Sequence, residues 1–100
     1  MANDYVGKII KWNGTQLVNI CDINLLNTSI KSDKMNININ KNYFGEKMFN
    51  EPDVVDLMKE STILFLVGNS IVNLAIKNKF ATSLAVKKID KISFLMIYKF

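Results

Sequence analysis

Alternating and continuous apolar runs divide the chain into short segments typical of an α/β domain. β-Branched and aromatic residues dominate residues 5–12 and again residues 15–21, and Asn13-Gly14 separates the two runs. Asn-Gly accepts the positive φ angles of a type I′ turn, whose twist suits a two-residue hairpin connection. The sequence therefore predicts an N-terminal β-hairpin.

Residues 35–40, which read M-N-I-N-I-N, alternate with a strict period of two. Met35, Ile37 and Ile39 fall on one face, and the asparagines fall on the other, as in a half-buried strand. Asparagine is a poor strand former, so packing must hold this segment. The asparagine row is predicted to face solvent, with RNA bases or sugars as an alternative ligand.

Two helices are predicted in the second half of the chain. Asn50 can cap the first, Pro52 fits its first turn, and acidic residues complement its positive end. The second opens at residues 68–70 and continues to Lys79. Residues 22–30 are interpreted as a helical turn or compact loop, with three residues directed to the core: Ile23, Leu25 and Leu26.

Three more strands complete the prediction. Residues 63–67 form a continuous apolar run, which we interpret as a buried strand although periodicity does not exclude a helix. Residues 86–89 and 93–98 read as two final strands, joined near Asp90-Lys91 without the glycine that a tight hairpin prefers. The fold class is therefore α/β (α+β), a single domain over residues 1–100. Its mixed sheet has about five or six strands with two helices packed on it.

The composition limits the chemistry. All 13 basic residues are lysines and histidine is absent, so the commonest metal ligand and near-neutral acid–base group is missing. Cys21 precedes Asp22, whose charge opposes thiolate formation, so it is expected to be a core residue. The acids that open the first helix are explained by capping. No catalytic residue, metal site or cofactor is predicted, and an enzymatic role is uncertain but disfavoured.

Charge is unevenly distributed. Residues 1–60 carry seven lysines and eight acids, whereas residues 61–100 carry six lysines and Asp90 alone. Such asymmetry suggests an acidic partner, with nucleic acid first. The lysines predicted to contact RNA phosphates are Lys77, Lys79, Lys87, Lys88, Lys91 and Lys99. Lysine supplies little base-edge discrimination, so no readout of DNA sequence is expected.

Two further segments carry candidate binding chemistry. Tyr43 and Phe44, beside lysines, could stack on RNA bases. Gly68, Asn69 and Ser70 lie between a strand and a helix, where backbone N–H groups and the helix dipole could bind an anion. The second glycine and the lysine of a P-loop are absent there. A capped helix start is the competing interpretation.

One cysteine and a polar N-terminus predict a cytoplasmic protein with no membrane association. The most apolar stretch, residues 62–76, is too short to span a bilayer.

Landmarks along residues 5–98 resemble an archaeal family catalogued as domain of unknown function 424. They are Ile20-Cys21-Asp22 with Leu25-Leu26, Tyr43-Phe44-Gly45, the helix after Glu51, Leu66-Val67-Gly68 and residues 72–76. The resemblance implies an archaeal cytoplasmic source and a compact α/β fold. Members of the family carry a glycine pair and a Val-Pro-His-Ala-Gln run in the last hairpin. Here Asp90-Lys91 replaces the glycines, and Ser93-Phe94 replaces the proline and histidine.

The leading hypothesis is a small, non-enzymatic RNA- or ribosome-associated protein of archaeal translation. One alternative is a small-ligand or enzymatic domain that uses the helix start at Gly68–Ser70 with Tyr43, Glu46 and Cys21. Another is a protein-binding or homo-oligomeric module that uses the open edge of a strand.

Overall fold

A computed structural model describes residues 4–34, 36–45 and 47–99. The strands are β1 (Tyr5–Trp12), β2 (Thr15–Asp22), β3 (Thr28–Lys31), β4 (Asn36–Ile39), β5 (Lys47–Phe49), β6 (Ile63–Val67), β7 (Lys87–Ile89) and β8 (Ile92–Tyr98). The helices are α1 (Lys41–Phe44), α2 (Glu51–Glu60) and α3 (Asn69–Lys77), and single 3-10 turns cover Ile23–Leu25 and Ser83–Ala85.

Six strands form one mixed sheet in the order β5-β1-β2-β6-β8-β7, and β3 pairs with β4 in a separate two-stranded sheet. All pairs are antiparallel except β2 with β6. The predicted α/β class and six-stranded mixed sheet are confirmed. The predicted pair of helices becomes three, because Asn40 caps the short α1 through a hydrogen bond from the Asn42 N–H.

The N-terminal hairpin is confirmed. β1 and β2 pair over their whole length around Asn13 and Gly14, whose φ angles are 48° and 77°. The last hairpin has the same two-residue form, with φ of 51° at Asp90 and 65° at Lys91. A glycine pair would adopt these angles without the Cβ penalty of about 1–2 kcal/mol per residue.

The two large helices cover one face of the six-stranded sheet. Asn50 caps α2 by accepting a hydrogen bond from the Asp53 N–H at 3.0 Å, as its sequence predicts. The main core lies between this sheet face and the helices, and its fully buried side chains include Val18, Ile20, Val54, Met58, Leu64, Leu66, Ile71 and Ala75.

A smaller core lies on the opposite face, beneath the β3–β4 hairpin and α1. Ile30, Ile39 and Phe44 pack there against Cys21 and Phe94. The alternation predicted for residues 35–40 is confirmed where it is described, because Ile39 is buried, Ile37 is half-buried, and Asn36 and Asn38 are exposed. Met35 lies outside the described residues.

Sequence reasoning missed three elements, β3, α1 and β5, and misplaced some boundaries. Residues 22–30 contain a 3-10 turn, as expected, but then enter β3. Ile23 remains 37% exposed, whereas Leu25 and Leu26 pack against the smaller core. Helix α3 ends at Lys77, because Lys79 adopts a left-handed φ of 64° that no helix continues.

Candidate nucleic-acid interface

The face of the main sheet opposite α2 and α3 is only partly covered. Side chains alternate between the two faces of a strand, so the strand registers determine which residues share this side. One row across four strands contains Ile10, Leu17, Ile63 and Tyr98. The adjacent row contains Lys8, Asn19, Phe65 and Met96. We call these two rows, together with Trp12, Tyr43 and Lys87, the open face.

The open face carries most of the large apolar side chains that solvent reaches. Trp12 is 73% exposed, Tyr43 62%, Tyr98 54%, Met96 48% and Ile10 41%. A contiguous group of this kind is unusual on a monomeric protein and marks a surface for interaction. Aromatic rings predominate among the most exposed members, which suits stacking on planar partners.

The charges of the open face have one sign. Lys8 faces this side in β1, and Lys87 does so in β7, where it pairs with Phe94. No aspartate or glutamate occupies a position on this side in the described strands. With neighbouring strands about 4.8 Å apart, four strand spacings separate the two lysines by roughly 19 Å. The surface is therefore apolar in its centre and cationic at two borders.

Helix α1 is tied to one border of the open face by side chains of the sheet. The Lys8 ammonium donates to the Asn42 carbonyl at 2.9 Å, and the Asn19 amide donates to the Tyr43 carbonyl at 2.9 Å. These hydrogen bonds place the Tyr43 ring at the rim of the face. Lys8 retains further donors, because an ammonium group has three.

The six predicted phosphate-binding lysines do not form one patch on the open face. Lys87 and Lys88 are adjacent in β7 and therefore point to opposite sides of the sheet. Lys87 lines a cavity with Phe65 and Met96, whereas Lys88 lines a different cavity with Asn73 and Ile76 of α3.

The other four lysines lie elsewhere. Lys77 ends α3, Lys79 follows it, and Lys91 occupies the last hairpin turn. Lys99 donates to the Met58 carbonyl and lies 5.1 Å from the centre of the Phe80 ring. Burial lowers its pKa. This partial enclosure makes Lys99 a packing residue of the helical side, so the structure brings Lys87 alone of the six to the open face.

The two predicted stacking residues have different environments. Tyr43 is exposed at the rim, as a stacking residue must be. Phe44 is only 3% exposed, and its ring stacks on that of Phe65 with centroids 6.1 Å apart. Phe44 therefore supports the floor of the open face by packing on Phe65, because too little of its own ring is exposed for a base to stack on it.

The predicted anion site at the start of α3 is filled by the protein itself. The Asp22 carboxylate, at the end of β2, accepts hydrogen bonds from the Ser70 N–H at 3.0 Å and the Ile71 N–H at 2.9 Å. Gly68, with φ of 128°, lies so close that any Cβ there would overlap this carboxyl group. An external anion would have to displace Asp22, so the prediction for Gly68, Asn69 and Ser70 is corrected to an internal helix cap.

Neighbouring polar groups complete this internal cap. The Tyr5 and Ser70 hydroxyls share a hydrogen bond of 2.8 Å. The Asn69 side chain accepts from the Ser93 N–H at 2.9 Å and donates to the Lys91 carbonyl at 3.2 Å, so it joins α3 to the last hairpin. Desolvation raises the pKa of Asp22, against the opposing effect of its two backbone hydrogen bonds.

Those residues of the enzymatic alternative that the structure describes do not meet. Cys21 is fully buried in the smaller core, and burial, then the charge of Asp22, raises the pKa of its thiol to about 12. Such a thiol is protonated at neutral pH and is a poor nucleophile. Tyr43 lies at the rim of the open face, whereas Ser70 lies in the first turn of α3, on the other side of the sheet. Glu46 lies outside the described residues.

Sequence reasoning missed most of the open face. Trp12, Ile10 and Lys8 alternate along β1, which was a usable signal for one shared face. Phe65 and Met96 gave no such signal, because the runs that contain them are apolar at successive positions. A continuous apolar run indicates burial on both sides, and only the fold shows that one side stays uncovered.

Comparisons with known proteins give one family model and one similar solved structure, neither with a described activity. A family model described as "Protein of unknown function (DUF424)" matches residues 10–100. A crystal structure of an uncharacterized conserved protein from Methanopyrus kandleri has a similar fold, with a TM-score of 0.73 and 14% sequence identity. That match covers 94% of this chain and 90% of the other. No curated protein matches the sequence. Among the described residues, no helix is both long and apolar enough to cross a bilayer.

Proposed function

This chain belongs to the DUF424 family of proteins of unknown function, and we propose that it is a small, non-enzymatic RNA-binding protein that uses its open face. The observation that supports this proposal is the combination of exposed aromatic rings with cations on one sheet face. Rings stack on bases, and lysines contact phosphates as point charges.

The distribution of acids favours the same face. Helix α2 lies on the opposite side of the sheet, and its exposed acids are Glu51, Asp53, Asp56 and Glu60. Three of them line a groove beside β5. The acids of α2 repel a polyanion, whereas Lys8 and Lys87 attract one to the two borders of the open face, so the open face is a better RNA-binding surface than the exposed surface of α2.

The proposed setting is the cytoplasm of an archaeal cell, with the ribosome as the first RNA-containing partner to test. A net charge of +4 on a small domain is an electrostatic property suited to RNA. The single, buried cysteine is compatible with a reducing compartment.

The decisive experiment compares Lys87→Glu with Lys88→Glu. The two residues are adjacent, both are exposed, and both changes alter the charge by −2, but the side chains lie on opposite sheet faces. Binding is measured with a fluorescent RNA oligonucleotide over a series of salt concentrations and by co-sedimentation with ribosomes. Lys87→Glu is expected to weaken binding about tenfold and reduce the salt slope by about one.

Lys88→Glu is the matched control and is expected to change affinity by less than about threefold, because only long-range attraction is altered. Equal losses in the two variants would show that binding depends on total charge rather than on the open face. Absence of RNA binding by the wild-type protein would refute the proposed function.

The apolar row of the open face supports a second candidate, a protein-binding or self-associating module. Ile10, Leu17, Ile63 and Tyr98 form a row without charge, which is typical of the centre of a protein interface. Sedimentation of the purified protein tests self-association: a dimer that Ile10→Glu dissociates supports this form of the candidate, and a monomer at high concentration contradicts it.

A further inference from the structure

Two adjoining cavities lie at the border between the open face and the β3–β4 hairpin. Their volumes are about 540 and 490 Å³, and they share three lining residues, Ile37, Phe65 and Phe94. Ile37 of β4 stands between them. The first cavity continues to Tyr43 and α1, and the second continues to Lys87 and β7. Each volume falls within the range of about 300–1,000 Å³ that is usual for small-ligand sites.

From this geometry we infer that the first cavity holds an unstacked nucleobase of single-stranded RNA, an inference that rests on the proposed function. Its floor is apolar and partly aromatic, formed by Phe65, Val67 and Phe94, and Tyr43 is exposed at its rim. A base inserted here lies against rings that the Phe44–Phe65 contact holds in place.

The wall of the first cavity supplies hydrogen-bonding groups. All five consecutive residues 36–40 line it, as does Asn42 of α1. β4 pairs with β3 on one edge and has no second strand partner among the described residues. Consecutive residues of a strand can all line one cavity when the unpaired backbone edge of the strand borders it. Backbone groups of that edge and asparagine amides offer both donors and acceptors to the edge of a base.

Access to the floor selects the form of RNA. Phe65 is half-buried between the β3–β4 hairpin and the 3-10 turn at Ser83–Ala85. The paired bases of an A-form duplex are stacked inside the helix and cannot enter such a recess, whereas an unpaired base can be turned outward. Lys87 lines the second cavity, next to the first, and no acid lines either cavity among the described residues. This charge favours a polyanion over an extended peptide, which could also pair with the edge of β4.

The test compares a labelled single-stranded oligonucleotide with a duplex of the same length by fluorescence anisotropy. Wild-type protein is expected to bind the single strand at least about tenfold more tightly, because only unpaired bases can stack on the protein. Tyr43→Leu should weaken single-strand binding about tenfold and leave duplex binding unchanged, whereas Tyr43→Phe, which keeps the ring, should retain binding. Tyr43 is exposed, so these variants are expected to fold.

Tyr98→Leu is the control, because it removes a ring from the same face at a position that lines neither cavity. It is expected to weaken binding by less than Tyr43→Leu does. If wild type binds no RNA, both the proposed function and this inference fail. The inference alone fails if RNA binds and Lys87→Glu weakens that binding, but the protein binds duplex and single strand with equal affinity. It also fails alone if Tyr43→Leu and Tyr98→Leu weaken single-strand binding equally. The inference would also be overturned if the protein bound an extended peptide and showed no preference for single-stranded over duplex RNA.

Discussion

The two faces of the main sheet are built from the same strands but differ in how much of each is covered by the rest of the protein. On the helical face, Leu64, Leu66 and Leu95 are covered by α2 and α3 and are almost completely buried. On the open face, their sequence neighbours Phe65 and Met96 remain partly accessible. Period-two alternation therefore separates a side that stabilises the fold from a side that is available to a partner.

The faces also treat negative charge differently. On the helical side, the N-terminus of α3 already binds the carboxylate of Asp22. On the open face, Lys8 and Lys87 have no acidic neighbour in the described strands. The protein thus satisfies its helix dipole internally and leaves an unmatched cationic border for an external anion.

Gly68→Ala is expected to destabilise the fold by about 4 kcal/mol, because an alanine at φ of 128° is strained and its Cβ would overlap Asp22. Gly14→Ala is the control. It also has a positive φ, of 77°, but has open space around the Cβ position, so a loss of about 1 kcal/mol is expected. Chemical denaturation of both variants measures the difference. Equal losses would show that the Asp22 contact does not constrain Gly68.

Leu66→Ala should reduce the free energy of unfolding by about 3 kcal/mol, since it leaves a cavity in the main core. Met96→Ala changes the next strand on the open face, where the side chain is 48% exposed, and should reduce it by less than about 1 kcal/mol. Urea denaturation provides both values. A large loss for Met96→Ala would mean that the open face is covered in solution.

Asp22→Ala should destabilise the protein by about 1.5 kcal/mol at neutral pH, because two helix N–H groups lose a charged acceptor. The pKa of Asp22 is raised in the folded state from 3.8. Between the unfolded and folded pKa values, the native state binds more protons than the unfolded state. The stabilisation that the native state gains by binding this proton is therefore fully present below the pKa of Asp22 in the unfolded state. It is lost as the pH rises through the pKa of Asp22 in the folded state.

The measurement is a set of urea denaturation curves from pH 3 upward. Asp22→Asn cannot titrate, so the fall in stability that Asp22 causes should be absent from the variant. Parallel pH profiles for wild type and Asp22→Asn would contradict the account of the buried carboxyl group.

Trp12→Leu is expected to change stability by less than about 0.5 kcal/mol, because the side chain is 73% exposed. Since Trp12 is the single tryptophan of the chain, its fluorescence should also respond when RNA covers the open face. Unchanged emission at saturating RNA would place the contact elsewhere.

Local sequence signals predicted much of the fold because they depend on neighbouring residues. Asn13-Gly14 specified the first hairpin, and Asn50 with Pro52 specified the start of α2. β3 was not predicted because its four residues show no clear alternation of apolar and polar side chains. The short α1 depends on tertiary hydrogen bonds from Lys8 and Asn19.

The candidate site was less predictable because it depends on which surfaces are covered. Gly68-Asn69-Ser70 has the local form of an anion site, but Asp22, which fills it, lies 48 residues before Ser70. Lys87 and Lys88 looked equivalent in the sequence until the sheet assigned them to opposite faces. Phe44 was a candidate stacking residue because it is an aromatic residue near lysines in the sequence, but the β3–β4 hairpin buries it.

RNA binding to the open face is tested most directly by backbone amide NMR during titration with a single-stranded RNA oligonucleotide. If RNA binds the open face, shift changes are expected along that face, centred on Lys8, Trp12, Phe65 and Met96, and at Tyr43 in α1. The exposed surfaces of α2 and α3 should remain unchanged. Shift changes confined to those helices, or no changes at saturating RNA, would contradict the assignment of RNA binding to the open face.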